Sequence, residues 1–330
     1  MRGKLLLLGS LLVLMIVLAA CDEASDSYEL RYGMVAGTAQ NEYEAAEALK
    51  EYLEEESDGQ IELTIYPDSQ LGDDRQMLEQ VRENELDLTL AEAGRFGIWL
   101  PRASLLGLPY IVDDFDHLSR VIHETDYGQG LQAELEEEHN WMIGATAYNG
   151  TRQTTSNRPI ESLSDMEGLS LRVPEADTLL DYASYTGASP TPMAFTEVYL
   201  ALETNSVDGQ ENPLSTIDAQ AFYEVQDYLA LTNHVVNDNN YVVSKEKFDE
   251  MPEDLQQILL DGLEHAAEVH TQLFYDEEAE LVSKFEEEGV TVTEPDLDEF
   301  REALEEAYPK YLEDIEEGGE QYLDEIDSAR

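Results

Sequence analysis

Residues 191–234 read TPMAFTEVYLALETNSVDGQENPLSTIDAQAFYEVQDYLALTNH. An extended piece ending in "PTPMAF" gives way to a helical pattern, "TEVYLALET". The polar link "NSVDGQEN" leads to a second, "PLSTIDAQAFYEVQDYLAL". Pro213 suits the first position of that helix and Asn212 its N-cap. Just upstream, "LSLRVP" (residues 169–174) alternates as a strand does. Leu169, Leu171 and Val173 share one face, and Ser170 and Arg172 share the other.

The same alternation extends in both directions. "YELRYGMVA" (28–36), "IELTIYP" (61–67), "LDLTLAEA" (86–93), "WMIGATAY" (141–148) and "VTVTEP" (290–295) read as strands. Helical patterns "NEYEAAEALKEYLEEES" (41–57), stopped by Gly59, and "DDRQMLEQVREN" (73–84) lie between them. Such ordering predicts α/β layers with largely parallel sheets. About 310 residues remain after the first 20, more than one core usually holds, so two lobes are expected. From about residue 253 to 288 the helical pattern is unbroken, long enough to tie both lobes together.

The first twenty residues, "MRGKLLLLGSLLVLMIVLAA", stand apart from the fold. Arg2 and Lys4 precede an apolar run, as in a secretory signal peptide. The stretch ends "LAAC", and Cys21 is the only cysteine of the chain. Leu-Ala-Ala-Cys resembles a bacterial lipobox, so Cys21 is expected to carry the lipid anchor and residues 21–27 to form a tether. Asp22 resembles the signal that keeps lipoproteins on the inner membrane. In a Gram-positive host the anchor would simply retain the protein. The membrane is met only through this anchor.

The chain carries 74 acidic and 18 basic side chains, a net charge of −56. Loss of Arg2 and Lys4 with the leader makes it −58. Self-repulsion on that scale opposes compaction unless salt screens it, and at about 1 M salt the Debye length is only about 3 Å. A saline exterior is expected, and nucleic acid is excluded as a partner. One cysteine permits no disulfide. No phosphate loop, dinucleotide glycine motif or Gly-x-Ser-x-Gly elbow is present. His265 and His270 are five apart and share no helix face well. Neither a metal nor another cofactor is expected.

Against this background the arginines near the opening stretch carry information. No lysine lies between Lys50 and Lys245, yet Arg152, Arg158 and Arg172 fall close together. Arginine is favoured where a planar carboxylate is gripped in two places. For Arg172 an anionic ligand and an internal salt bridge weigh equally, and Arg152 and Arg158 read as structural. Phe195 is a hydrophobic staple before Thr196 or an aromatic wall for a ligand ring. Asn212 is a helix cap or part of an anion site. Asp74 complements a helix dipole or contacts a ligand, and Glu92 and Arg95 form a helical pair or do likewise.

The opening stretch resembles the solute-binding proteins of TRAP transporters, the DctP family. "AGTAQNEYEAAEAL", "YPDSQLGDDRQML", "AEAGRF", "LPYIV", "YNGTRQTTSNRPI" and "GLSLRVPE" follow the family pattern in order from about Tyr28 onward, nearest to its sialic-acid-binding branch. The resemblance implies a non-enzymatic, two-lobed periplasmic-binding-protein-like fold with a long hinge-spanning helix. The lobes would be 28–149 plus about 238–277, and 150–237 plus about 278–330. It implies that Arg172 takes a ligand carboxylate in a two-pronged salt bridge, supported by Arg152 and Asn212. Phe195 would pack on the ligand, and Asp74, Glu92 and Arg95 would read its hydroxylated end. Arg158 would be structural. The implied ligand is a sugar acid, with C4-dicarboxylates or a sensory role as alternatives. The implied partners are TRAP membrane permease subunits, served by a monomer. Two positions depart from the branch, which has asparagine at both: Val35 before "AGT", and Glu175 after "RVP".

Overall fold

The computed structural model describes residues 27–313, 315 and 318–330, so Cys21 and the leader lie outside the described residues. Nine strands form one sheet: β1 (Tyr28–Gly33), β2 (Ile61–Tyr66), β3 (Leu88–Ala91), β4 (Trp141–Ser156), β5 (Ser170–Val173), β6 (Ser189–Pro192), β7 (Gly209–Pro213), β8 (Tyr228–Ser244) and β9 (Thr291–Thr293). Their spatial order is β2-β1-β3-β8-β4-β7-β5-β6, with β9 beside β8. Pairing is parallel within β2-β1-β3 and within β7-β5-β6. It is antiparallel where β8 and β4 join these groups and each other.

The two long strands make the fold two-lobed. β3 pairs with one end of β8, residues 240–243, while β7 pairs with the opposite end of β4, residues 152–156. Between those ends the β4–β8 register slips at Tyr148/Thr151 and at Arg152/Thr154. Gly150 sits in the first slip at φ +86°, where a β-carbon would stand 2.6 Å from Pro213. Such bulges bend a sheet, so each crossing strand serves one lobe before the kink and the other after it.

A 35-residue helix, Glu253–Glu287, follows the same path. At 1.5 Å per residue it is about 50 Å long. Its early face, Leu255, Leu259, Leu263 and Ala266, joins the core around β1–β3, and its late face, Leu281 and Phe285, joins a core around the Val198–Glu203 helix. Leu171 and Val173 of β5 are buried in a further core of the second lobe, so Arg172 faces the other way.

Three expectations are corrected. The helical reading of residues 213–231 holds only for Leu214–Ala219. Ala221 takes a left-handed φ of 53°, and the chain enters β8 at Tyr228. Leu229 and Ala230 are both buried, which hides the alternation of a strand. Asn212 does not cap that helix: it is the fourth residue of β7. Finally, the described residues after Ala307 are not confined to the second lobe, although Lys310 and Tyr311 still donate to Asp181 in it. Phe300 and Leu304 pack there, but Ala307, Tyr311 and Ile326 pack in the first lobe's core. Tyr308 donates to the Pro109 carbonyl, and Arg120 donates to that of Ala329.

Candidate functional site

A cavity of about 490 Å³ opens between the two halves. Arg172 and Phe195 reach it from β5 and the turn after β6, and Arg152 and Asn212 from the paired strands β4 and β7. Asp74 starts the Asp74–Arg82 helix, whose N-terminus is closed by a capping box between Asp73 and Gln76. Glu92 and Arg95 belong to the turn after β3. All seven line this one cavity, as do Val35 and Glu175. Arg158 lies outside it, exposed, and donates to the Glu167 carbonyl.

The two cavity arginines differ in kind. Arg152 is 3 % exposed and clamped on Glu211, with Nη2 to Oε1 at 2.9 Å and a second, short bond from Nε to Oε2. Its remaining donors reach Glu92 (3.2 Å), Asn237 (3.2 Å) and Asn212 (3.2 Å). Burial opposes the Arg152 charge, but Glu211 and Glu92 raise its pKa all the same. Glu211 is fully buried. Desolvation pushes its pKa up, but Arg152 and a hydrogen bond from His234 bring it down to about 2. His234 stacks flat on Tyr182, 3.9 Å between centroids. Burial holds His234 below the ordinary histidine value despite Glu211, so at neutral pH Nε2–H donates to Glu211 and Nδ1 accepts from Thr232.

Arg172 has no such clamp. It is 2 % exposed, and its one hydrogen bond among the described residues runs from Nη2 to the Met193 carbonyl, 2.9 Å. Its Nε is buried and unpartnered. Desolvation lowers its pKa to about 10, only partly countered by Glu211. A buried guanidinium with free donors on a cavity wall is matched by an anion with two acceptor atoms in a plane.

The cavity rim joins the lobes. Arg95, 6 % exposed, pairs with Asp74 at 2.7 Å and donates to the backbone carbonyl of Glu175 across the cleft. Glu92 stands against Arg152, so it is not at an end of the site remote from the arginines. Phe195 lines the cavity and packs at a steep angle against Phe222, 6.3 Å between ring centroids.

Sequence reasoning missed Glu211, His234 and Asn237. Asn237 accepts from Arg152, while its own Nδ2 is buried without a partner at the cavity wall. The available signal was polar density inside apolar strands: "GQENP", and "TNHVVNDNN" within β8. A buried strand keeps such residues only where they are paired. Among the described residues no group of three His, Cys, Asp or Glu side chains is arranged to hold a metal ion, and no helix is long and apolar enough to cross a membrane.

The chain resembles known proteins in sequence and fold. The sialic acid-binding periplasmic protein SiaP of Vibrio cholerae is 47 % identical over 304 residues, covering 92 % of this chain and 94 % of that protein. A TRAP periplasmic solute binding protein of Roseobacter denitrificans, solved with bound 3-deoxy-D-manno-oct-2-ulosonic acid, superposes with a TM-score of 0.86. It is 29 % identical, over 92 % of this chain and all of that one. One from Chromohalobacter salexigens with bound D-glucuronate also gives 0.86, at 26 % identity, over 91 % of this chain and 100 % of that one. The model of the DctP family, described as bacterial extracellular solute-binding protein, family 7, matches residues 32–314. With the cleft, the crossing strands and the long helix in place, the chain belongs to the DctP family of TRAP solute-binding proteins.

Proposed function

We propose that the cleft captures a sugar monocarboxylate, with Arg172 forming a two-pronged salt bridge to the carboxylate. Membership of the family makes the chain an extracytoplasmic binding protein that delivers a small-molecule acid to a TRAP permease and catalyses no reaction. In the proposed site Arg152 and Asn212 support the carboxylate, Phe195 packs on the ligand, and Asp74, Glu92 and Arg95 meet its hydroxyls. One observation carries this reading: of the cationic side chains lining the cavity, Arg172 stands without a carboxylate partner among the described residues. Arg152 is held by Glu211, Arg95 by Asp74, and Arg75 approaches Glu79. The wall also carries Glu42, Asp68, Asp73 and Glu175. One anionic group is therefore accommodated and a second is repelled, which disfavours a C4-dicarboxylate.

Likeness to a sialic acid-binding protein puts sialic acid first among candidates. Val35 and Glu175 remove two amides from the branch pattern, which brings hexuronates and aldonates forward, since a ligand amide left unpaired on burial loses affinity. The lobes are proposed as 28–149 with about 238–277, and 150–237 with about 278–306. The described residues after Ala307 serve as a strap between the lobes, from Asp181 to the core of the first. The further proposals are a cleaved leader, a lipid on Cys21, a monomer and a saline habitat. Titration of N-acetylneuraminate, D-glucuronate, D-gluconate, malate and succinate in molar salt tests the ligand class. Tightest binding by malate or succinate would overturn it in favour of the dicarboxylate reading.

A further inference from the structure

Glu42 is the second residue of the Asn41–Glu56 helix and lines the same cavity, yet no reading of the sequence singled it out. It is 6 % exposed. Among the described residues no other side chain hydrogen-bonds its carboxyl group, and the hydrogen bond that lowers its pKa comes from its own backbone N–H. Buried polar groups in folded proteins are paired, and a carboxyl left without donors costs free energy. Here the open side is the cavity. We propose that Glu42 is a further ligand-binding residue, which in its protonated form hydrogen-bonds a hydroxyl of the bound polyhydroxylated acid. This rests on the sugar-acid reading of the cleft.

The surroundings explain the proton. Burial raises the Glu42 carboxyl to about 7; its own backbone N–H opposes this in part, and the neighbouring Glu277 of the long helix adds a smaller push upward. Tyr32 on β1 and Tyr241 on β8 also lie close to it; burial raises both phenols, and Glu42 adds a smaller push. Tyr241 is hydrogen-bonded to His270, which burial pushes down to about 3 and so keeps neutral. Glu277 is held by Asn41. None of these groups supplies a positive charge. Asp68, Asp74 and Glu92 add negative charge around the same cavity, with Arg95, Arg152 and Arg172 as the counter-charges. A protonated Glu42 both donates to and accepts from a hydroxyl, and it does not repel the arriving anion. The ligand-free chain holds Glu42 at about 7, and the arriving anion and hydroxyl favour the protonated form further, so affinity is highest below pH 7 and falls as the pH rises above it.

The test is calorimetric titration in molar sodium chloride of wild type, Glu42→Gln and Glu42→Ala. The probe is whichever of N-acetylneuraminate, D-glucuronate and D-gluconate wild type binds tightest, at pH 5.5, 7.0 and 8.5. At pH 5.5 the alanine variant is expected to bind about tenfold or more weakly, while the glutamine variant stays within about threefold, since one hydrogen bond is worth about 1 kcal/mol or more. Wild type is expected to weaken by up to about tenfold per pH unit above neutrality, and glutamine to flatten that slope. Equal affinity of the alanine variant overturns the assignment. So does an unchanged pH slope in the glutamine variant, which would point to Asp238, a buried carboxyl raised by burial to about 7 beside Glu92. If the alanine variant does not fold, the pH profile of the near-isosteric glutamine variant decides. Failure of wild type to bind any of the three acids would refute the sugar-acid reading itself.

Discussion

Arg152 and Arg172 lie on one cavity wall, and replacing each by methionine should have opposite consequences for stability. Arg172 gives one hydrogen bond to a backbone carbonyl and leaves Nε unpartnered. Its desolvation is only partly compensated in the ligand-free chain, so Arg172→Met should leave unfolding free energy within about 1 kcal/mol or raise it. Arg152→Met instead strands Glu211 at 0 % exposure, hydrogen-bonded only by a neutral His234 and with Arg172 acting on it without a direct bond. Breaking a buried pair on one side costs about 3–5 kcal/mol. Binding adds a second contrast. Two charge-assisted hydrogen bonds from Arg172 to a carboxylate, at about 1.5–3 kcal/mol each, amount to a loss of about a hundredfold to ten-thousandfold for methionine. Lysine keeps one of the two, so Arg172→Lys should lose about tenfold to a hundredfold while folding normally. Urea denaturation in molar salt and calorimetry on the same preparations give both quantities. Equal destabilisation by the two methionine variants, or near-normal affinity of Arg172→Lys, would refute the distinction between a clamped and a free arginine.

Acid titration offers an independent check on the clamp. In the folded chain Glu211 stays charged down to about pH 2, whereas once unfolded it protonates near its ordinary value of 4.5. Its contribution of about 3 kcal/mol is complete above about pH 4.5 and is lost between pH 4.5 and 2. Glu211→Gln should abolish that part of the stability–pH curve; an unchanged acid limb would contradict it. Melting temperature should climb steeply between 0.1 M and about 2 M sodium chloride as carboxylate repulsion is screened, and a flat profile would contradict the saline reading. Cys21→Ser should leave a soluble protein or an uncleaved precursor; mature-mass protein still firmly in the membrane fraction would exclude the lipid anchor.

Period and punctuation were enough to read much of this fold from the sequence. Alternation in "LSLRVP" put Arg172 on the face opposite Leu171 and Val173, and the unbroken pattern to residue 288 marked a helix long enough for two lobes. These are local signals, because each side chain's face follows from its own backbone geometry. Residues 228–231 were misread because a strand buried on both faces has no polar side to betray its period. The division of labour between the two arginines was also out of reach. Arg152 meets Glu211, 59 positions away, only because β4 and β7 pair in register at Gln153 and Asn212. The docking of Tyr308 and Ala329 onto the first lobe likewise depends on contacts with Pro109 and Arg120, about 200 positions upstream. By itself the sequence determined the α/β alternation, the long helix, the charge and the residue types of the cleft. Tertiary structure alone decided which arginine stays free for a ligand and which carboxyls, Glu42 among them, are buried against the cavity, because pairing and desolvation depend on neighbours that chain order does not reveal.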